Sequence, residues 1–468
     1  MKAGQFILTT LTVLVSLVLI NTATYAADLW INASDMLHDR QLHTATLLQN
    51  GKVLIAGWYT QEAELYNPET GAFTEIGSTI YYHWQGFTAT LLNDGKVLIA
   101  GGIGAQQFAE LYNPETGSFE ATAGLITVHS FHTATSLTDG RVLIAGGQDQ
   151  NGPQTHAVCE IYDPQLNTFS LTDSLNMDRS IHTATLLPNG QVLIAGGIQT
   201  ITPGNGHYLD SCELYNPVNG TFSLTQNLKQ PRAGHQATLL NNSKVLISCG
   251  AWNQRYGELY DYASQTWSLT GDMIIMRRSY HTATLLNSGK VLLAGGYINS
   301  STASAELYDP ATNTFSAVDS MFTARMEHTA TRLLDGSVLI AGGSGTNGAI
   351  NLAELFIPDT TTVVGINKDM NSKGLPRSFF LLQNYPNPFN PTTTIQFQIP
   401  ASGHVELYIC TMNGAKVRTL INQFCNAGTH SITWDGRDDN SKQIASGMYV
   451  FVINSNGIKA SKKMVLLK

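Results

Sequence analysis

One pattern of apolar and polar positions recurs seven times along the chain. It opens with threonine alternating with small or apolar residues, His-Thr-Ala-Thr-Leu-Leu at His43. Equivalents start at Phe87, His132, His182, His235, His281 and His328, at spacings of 44, 45, 50, 53, 46 and 47 residues. A period of this size marks supersecondary units that bury their apolar faces only against one another.

Each unit predicts four strands. The opening run is the first. Eight positions after every opening residue comes the second residue of a tight turn, as in Asn50-Gly51, Asp94-Gly95 and Asp335-Gly336. Asn-Gly and Asp-Gly accept positive φ at both central positions, which a two-residue hairpin requires. Asn242-Ser243 is the weakest version. The second strand, Lys96 to Gly102 and its copies, is almost continuously apolar, as expected where both faces are covered. Ala-Glu-Leu-Tyr, as at Ala63 to Tyr66, predicts the third strand, and the Asn/Asp-Pro that usually follows is a turn signal. An aromatic marks the fourth: Phe73, Phe119, Phe169, Phe222, Trp267 and Phe315. The seventh unit has Val363 at that offset, but Trp30 lies 13 residues before His43, where the internal aromatics lie 13 or 14 before the next opening residue. Trp30 is therefore expected to supply the outer strand of the last sheet and close a ring, with closure through Val363 the lesser alternative.

The double glycines (Gly101-Gly102, Gly146-Gly147, Gly196-Gly197, Gly295-Gly296, Gly342-Gly343), the Glu-x-Tyr of the third strand and the following aromatic resemble the Kelch repeat family. Repeat one departs from the pattern with Gly57-Trp58 and repeat five with Cys249-Gly250. The resemblance implies an all-β chain: a seven-bladed Kelch-type β-propeller over residues 27–364. Kelch functions differ widely, so the fold alone delivers none.

After a linker at 365–380, with its Asn, Ser, Gly and Pro, comes Asn-Tyr-Pro-Asn-Pro-Phe-Asn-Pro from Asn384. Short alternating strands follow at Thr394 to Ile399, Val405 to Ile409, His430 to Trp434 and Met448 to Ile453, punctuated by Trp434-Asp435-Gly436 and Ala445-Ser446-Gly447-Met448-Tyr449. They predict a small immunoglobulin-like β-sandwich over 381–468. Together with the Lys-rich end, these segments resemble the type A sorting domain of the type IX secretion system and the related domain of flagellar hook-capping proteins. That resemblance implies recognition by outer-membrane secretion machinery through residues 381–468, followed by release or attachment at the cell surface. A structural or carbohydrate-binding sandwich is the alternative.

The amino terminus agrees with export. Lys2, the apolar stretch Phe6 to Ile20 and Thr24-Tyr25-Ala26 read as a signal peptide cleaved after Ala26. The stretch is shorter than the roughly 20 apolar residues a spanning helix needs. No later segment is long and apolar enough for a stable transmembrane span. Of the net charge of −8, residues from Asn367 onward hold 11 basic and 5 acidic side chains (+6), leaving 15 basic and 29 acidic (−14) in the rest. No basic run marks a nucleic-acid surface. The five cysteines include no CxxC pair; Cys159 and Cys212 occupy a position that is Ala or Gly elsewhere, and Cys410 and Cys425 are close enough in sequence for a disulfide to stay open.

An arginine recurs three residues before the opening residue, at Arg40, Arg179, Arg232, Arg278 and Arg325, with Trp84 and His129 in repeats two and three. In a propeller this position lies near the axis, on the face that also carries the variable loops after the double glycine, such as Gln148 to Val158 and Ile198 to Ser211. Two roles are open: a cationic ring for an anionic partner, or arginines that cap carbonyls and pair with carboxylates. The third-strand glutamates, Glu64, Glu110, Glu160, Glu213, Glu258, Glu306 and Glu354, are spread around the axis and are expected to hydrogen-bond rather than hold metal.

The expected function is a secreted or surface-displayed binding protein, without cofactor or catalytic residues, whose loop face recognises a protein or glycan. A structural or adhesive surface component is the second possibility. The third is a radical-copper oxidase of the galactose oxidase type, which Tyr280-His281 resembles. However, His281 belongs to the repeat consensus, and no cysteine near the axis is placed to cross-link a tyrosine. No G-x-S-x-G, P-loop or H-E-x-x-H motif occurs.

Overall fold

The structure, a computed structural model, describes residues 28–466 except 105–106, 150–153, 203, 251–254, 276–278, 359–379, 382–383, 385–388, 390, 400, 412–414 and 456–457. The expected signal peptide, most of the linker and Val363 lie outside these residues. The described chain is all β and forms two compact units, one at 28–358 and one at 380–466.

The first unit holds seven four-stranded antiparallel sheets. Blade 1 consists of Thr44–Leu47, Val53–Ala56, Glu62–Asn67 and Ala72–Ser78, paired in that order. Blades 2 to 6 repeat it over 88–121, 133–171, 183–224, 236–272 and 282–318. Each innermost strand neighbours the next, and the last neighbours the first, so the sheets close a ring. Blade 7 takes three strands from Thr329–Arg332, Val338–Ala341 and Ala353–Ile357, and its outer strand, Leu29–Asn32, from the other end of the chain. Trp30 pairs with Phe356, their ring centroids 5.0 Å apart, and its indole N–H donates to Asp319 O at 2.6 Å. The seam thus reproduces the contact of Tyr66 with Phe73 (4.9 Å) inside blade 1.

The unbroken apolar second strand follows from this arrangement. In blade 1, Val53 and Ile55 pack toward blade 7, with Leu339 and Ala341, while Leu54 and Ala56 pack toward blade 2, with Val97 and Ile99. All four are fully buried, so neither face tolerates a polar side chain.

In the second unit a three-stranded sheet (Phe380–Leu381, Thr393–Ile399, Gly428–Trp434) and a four-stranded sheet share one core. The larger sheet is ordered Lys416–Cys425, Gly403–Thr411, Gly447–Ser455, Ile458–Leu466; its first and last strands were not anticipated from sequence. Phe389, from the proline-rich motif, is buried against Trp434 at 5.5 Å, and Asn384 donates to Thr393 Oγ1 at 2.8 Å. Cys410 and Cys425 sit at opposite ends of one hairpin, facing Lys416 and Gly403, so no disulfide joins them.

Candidate functional site on the loop face

The chain entering each blade is held by one repeated network. In blade 1 the Glu64 carboxylate accepts main-chain N–H groups of Leu37 (2.8 Å) and His38 (3.3 Å) and pairs with Arg40 Nη2 at 3.0 Å. Arg40 Nη1 donates to Gly57 O at 2.8 Å. The pattern returns as Arg179–Glu213 (2.7 Å), Arg232–Glu258 (2.6 Å) and Arg325–Glu354 (2.6 Å). In each case Nη1 donates to the carbonyl of the residue just after the second strand, Gly196, Cys249 or Gly342. Arg40, Arg179, Arg232 and Arg325 are all 0% exposed. Burial lowers the pKa of Arg40 and of Arg325 from the usual guanidinium value, an effect opposed by the adjacent Glu64 and Glu354.

The arginines are therefore not a solvent-facing cationic rim. Burying an unpaired charge is prohibitive, and each guanidinium is paired with the glutamate of its own blade, although Arg232 Nε is left without a partner among the described residues. Arg278 lies outside the described residues. In blade 3, His129 takes the same place, between Gly146 O (2.7 Å) and Glu160 (3.1 Å). In blade 2 that place belongs to His83, not Trp84: His83 bridges Gly101 O (2.9 Å) and Glu110 (2.8 Å), and Trp84, one residue on, is 36% exposed. The sequence signal was available, since a buried glutamate needs a donor that an indole, with one N–H, cannot match.

A second network links blades. The N–H of the second glycine donates to the carbonyl of the next blade's arginine position: Gly147 to Arg179 (2.8 Å), Gly197 to Arg232 (2.9 Å), Gly343 to Arg40 (2.7 Å). A Cβ on Gly146 would lie 2.6 Å from Arg179 O, which explains the first glycine. Deeper, opening histidines bond across blades, as His43 to Thr329 and His182 to Thr133, both at 3.0 Å. Burial, with Arg40 and Arg232 nearby, pushes His43 and His235 down to about 3, so these rings stay neutral.

Apart from Tyr280, which the oxidase resemblance singled out, the residue just before each opening residue was not anticipated as functional. All seven, Leu42, Gly86, Phe131, Ile181, Gly234, Tyr280 and Glu327, have positive φ between 49° and 70°. They form a collar. Leu42 N–H donates to Glu327 O, Phe131 to Gly86, Ile181 to Phe131, Gly234 to Ile181 and Glu327 to Tyr280, at 2.7–3.3 Å. The collar and the inner strands bound a cavity of about 590 Å³ to which every blade contributes. Its volume falls in the usual range for ligand pockets. Burial raises the Glu327 carboxyl above its usual value, and burial plus the Glu327 charge raises Tyr280. The signal in sequence is variety: beside an almost invariant opening run, this position holds six residue types.

The residues that the galactose oxidase resemblance recruits do not fit a copper centre. His281 Nε2 is engaged by Ser248 Oγ at 3.0 Å, and Cys249 Sγ lies 3.5 Å from Met273 Sδ. Cys159 and Cys212 are buried on third strands, their thiols pushed up to about 12 by burial. Among the described residues no three His, Cys, Asp or Glu side chains converge as a metal site requires, and no helix is long and apolar enough to cross a membrane.

Residues 383–467 match the secretion system C-terminal sorting domain, and residues 277–322 match the Kelch motif. No curated protein matches the chain by sequence. Among solved structures, a fungal alcohol oxidase of the AA5 family, described as having catalytic diversity and solved in complex with copper, superposes with a TM-score of 0.61 at 14% identity; the match covers 94% of this chain and 100% of that one. At that identity the likeness is one of fold. The protein YjhT matches with a TM-score of 0.46 at 15% identity, covering 57% of this chain and 93% of that one. The chain is thus an all-β protein with a Kelch-type propeller and a C-terminal sorting domain.

Proposed function

We propose that this protein is exported through its C-terminal sorting domain and acts outside the cell as a binding protein, using the loop face of the propeller. One observation carries this reading. The polar side chains that repeat from blade to blade are consumed inside the scaffold, whereas the residues that break the repeat gather on one face: the collar, the axial cavity and the loops after the second strands. A rigid ring presenting variable loops is the usual arrangement for recognition. The hairpin of Ile198–Thr202 and Asn205–Tyr208 in blade 4 is the longest described insertion there, and Ile201 and Tyr208 are exposed on it. The buried arginines position this face and do not contact the partner.

Export is tested by fractionating native cells that express the chain with and without residues 381–468; retention of the shortened protein inside the cell is expected, and its normal appearance outside would overturn the assignment. Binding is tested by probing the purified chain on glycan and peptide arrays, against a variant with 198–209 replaced by a two-residue turn and one with Arg179→Ala. Peroxide release from a primary alcohol with added copper would instead favour an oxidase.

A further inference from the structure

Resting on the binding reading, the geometry points to a particular ligand and place: we propose that the loops of blades 1 and 2 form an aromatic platform for the sugar rings of a neutral glycan. The repeat breaks here in a costly way. The second position of the double glycine has φ of 94° to 117° in Gly102, Gly147, Gly197, Gly296 and Gly343, and in blade 1 a tryptophan, Trp58, occupies it at φ 77°. A bulky side chain in the left-handed region is strained, and such strain persists where function uses it. Trp58 keeps the inter-blade bond, its N–H donating to His83 O at 3.2 Å. The backbone thus needs nothing from the indole, and its side chain is set beside the other rings.

Trp58 meets Tyr59 edge-on at 4.6 Å, and Tyr59 meets Trp84 at 5.1 Å. Tyr59 is 65% exposed and Trp84 36%. Trp84 and Gln85 are pinned to the neighbouring loop by paired bonds with Ile103, at 3.2 Å and 2.9 Å, so the rings are presented on fixed backbone. Gln85, next to Trp84 in sequence, also lines the axial cavity.

The composition selects the ligand. Residues 57–61, 79–87 and 101–109 contain no Asp, Glu, Lys or Arg, although Tyr59, Ile80, Tyr82, Trp84 and Phe108 among them are exposed; the neighbouring Glu62 carboxylate is engaged by the Thr60 hydroxyl. Beside the rings stand Gln85, which both donates and accepts, and the side-chain oxygen of Gln61; the Gln61 amide N–H is spent on Thr79 O and Ile80 O, and the Thr60 hydroxyl on Glu62. Flat apolar faces flanked by uncharged donor–acceptor groups match a pyranose, which has an apolar C–H face and a hydroxyl rim. Segments without a Lys or Arg give no purchase to nucleic acid, an acidic peptide or an anionic membrane. Three rings, each of roughly 150–250 Å² even if fully covered, also fall short of the roughly 800 Å² per side of a stable protein interface.

The test uses the full chain on an array of neutral glucan, mannan and galactan hexasaccharides, beside uronic-acid glycans and a peptide library, with tryptophan fluorescence to follow titration of any hit. Wild type is expected to bind a neutral hexasaccharide, with Tyr59→Ala and Trp84→Ala weakening it at least tenfold. Leu224→Ala, on the outer strand of blade 4, should leave it unchanged. Trp58→Gly restores the repeat residue, so it is expected to weaken binding as much without lowering Tm, a combination that a merely structural tryptophan would not give. Undiminished neutral-glycan binding in both alanine variants would overturn the platform, as would wild type binding only peptides or uronic-acid glycans; those outcomes leave the general binding reading standing. No binding on any array would remove both.

Discussion

The main-chain N–H of Gly343 in the last blade donates to the carbonyl oxygen of Arg40 in the first, at 2.7 Å. It is the bond that joins Gly147 to Arg179 within the ring, so the junction between the two ends of the propeller chain is built like those of Gly102 with His129, Gly197 with Arg232 and Gly296 with Arg325. Two more contacts reinforce it: His43 with Thr329, and Trp30 with Phe356. Closing the ring gives every blade two neighbours and leaves only the short outer strands with free edges, so its cooperativity depends on that one seam.

The seam is therefore the place to break. Trp30 is 4% exposed and its indole N–H is bonded. Trp30→Ala removes a large buried side chain and is expected to cost about 3–5 kcal/mol. Trp84→Ala, removing an exposed ring, is expected to change stability by no more than about 0.5 kcal/mol. Denaturant titration followed by circular dichroism reads both; equal effects would contradict the closure described.

The buried ion pairs make a different prediction. Removing Arg179 leaves Glu213 buried with two main-chain N–H partners and no counter-charge. Arg179→Ala is expected to destabilise by about 3–5 kcal/mol. Arg179→Met combined with Glu213→Gln should recover at least half, because the uncompensated charge is gone and the amide still accepts from the entering chain. A double variant no better than the single would show that the pairing charge is not what the arginine supplies.

Acid should loosen the ring before it protonates the surface carboxylates fully. His43 and His235 are held down to about 3, against an ordinary value of about 6.5 in the unfolded chain. Between those limits the unfolded state binds protons that the folded state refuses. Stability is thus full above about pH 6.5 and falls as pH drops toward 3, by up to about 1.4 kcal/mol per pH unit for each such histidine. His132 and His182 are depressed for the same reason and add to the slope. Tm measured from pH 7.5 to 4 should fall, and His235→Gln should flatten the curve; a Tm independent of pH in that range would refute the buried neutral histidines.

Much of this was legible in the sequence because the repeat averages over seven copies. The Asn-Gly and Asp-Gly turns, the Val-Leu-Ile-Ala strand and the aromatic partner of each third-strand tyrosine recur in phase, so Trp30 could be assigned to blade 7 from spacing alone. The arginine position was legible as a position but not as a chemistry, since nothing local says whether a guanidinium near an axis faces water or a glutamate 24 residues later. Trp84 was misassigned because the connection into blade 2 places its histidine one residue earlier, a slip that fixed spacing from Phe87 cannot detect. In the sorting domain Lys416–Cys425 was missed because its side chains are mostly half-buried or exposed and do not alternate, and Ile458–Leu466 because three lysines mask its apolar positions. The collar was missed because its backbone conformation defines it, and its one trace in the sequence is the variety of residue types at a position beside an almost invariant run.

That collar supports the last prediction. Ile181 has φ 52°, a conformation that costs a β-branched residue roughly 1–2 kcal/mol relative to its right-handed alternatives. The equivalent positions in blades 2 and 5 are Gly86 and Gly234, at φ 70° and 60°, so the site itself does not require a side chain. Ile181→Asn places there a residue that visits this region at little cost and keeps the N–H that bonds Phe131 O at 3.0 Å. It also avoids the extra unfolded-state entropy that glycine would bring. Because Ile181 is only half-buried, little packing is lost, and stability should rise by about 1 kcal/mol, read as a higher denaturant midpoint with an unchanged slope. A lower midpoint would mean that the isoleucine contributes packing to the cavity wall that outweighs its strain.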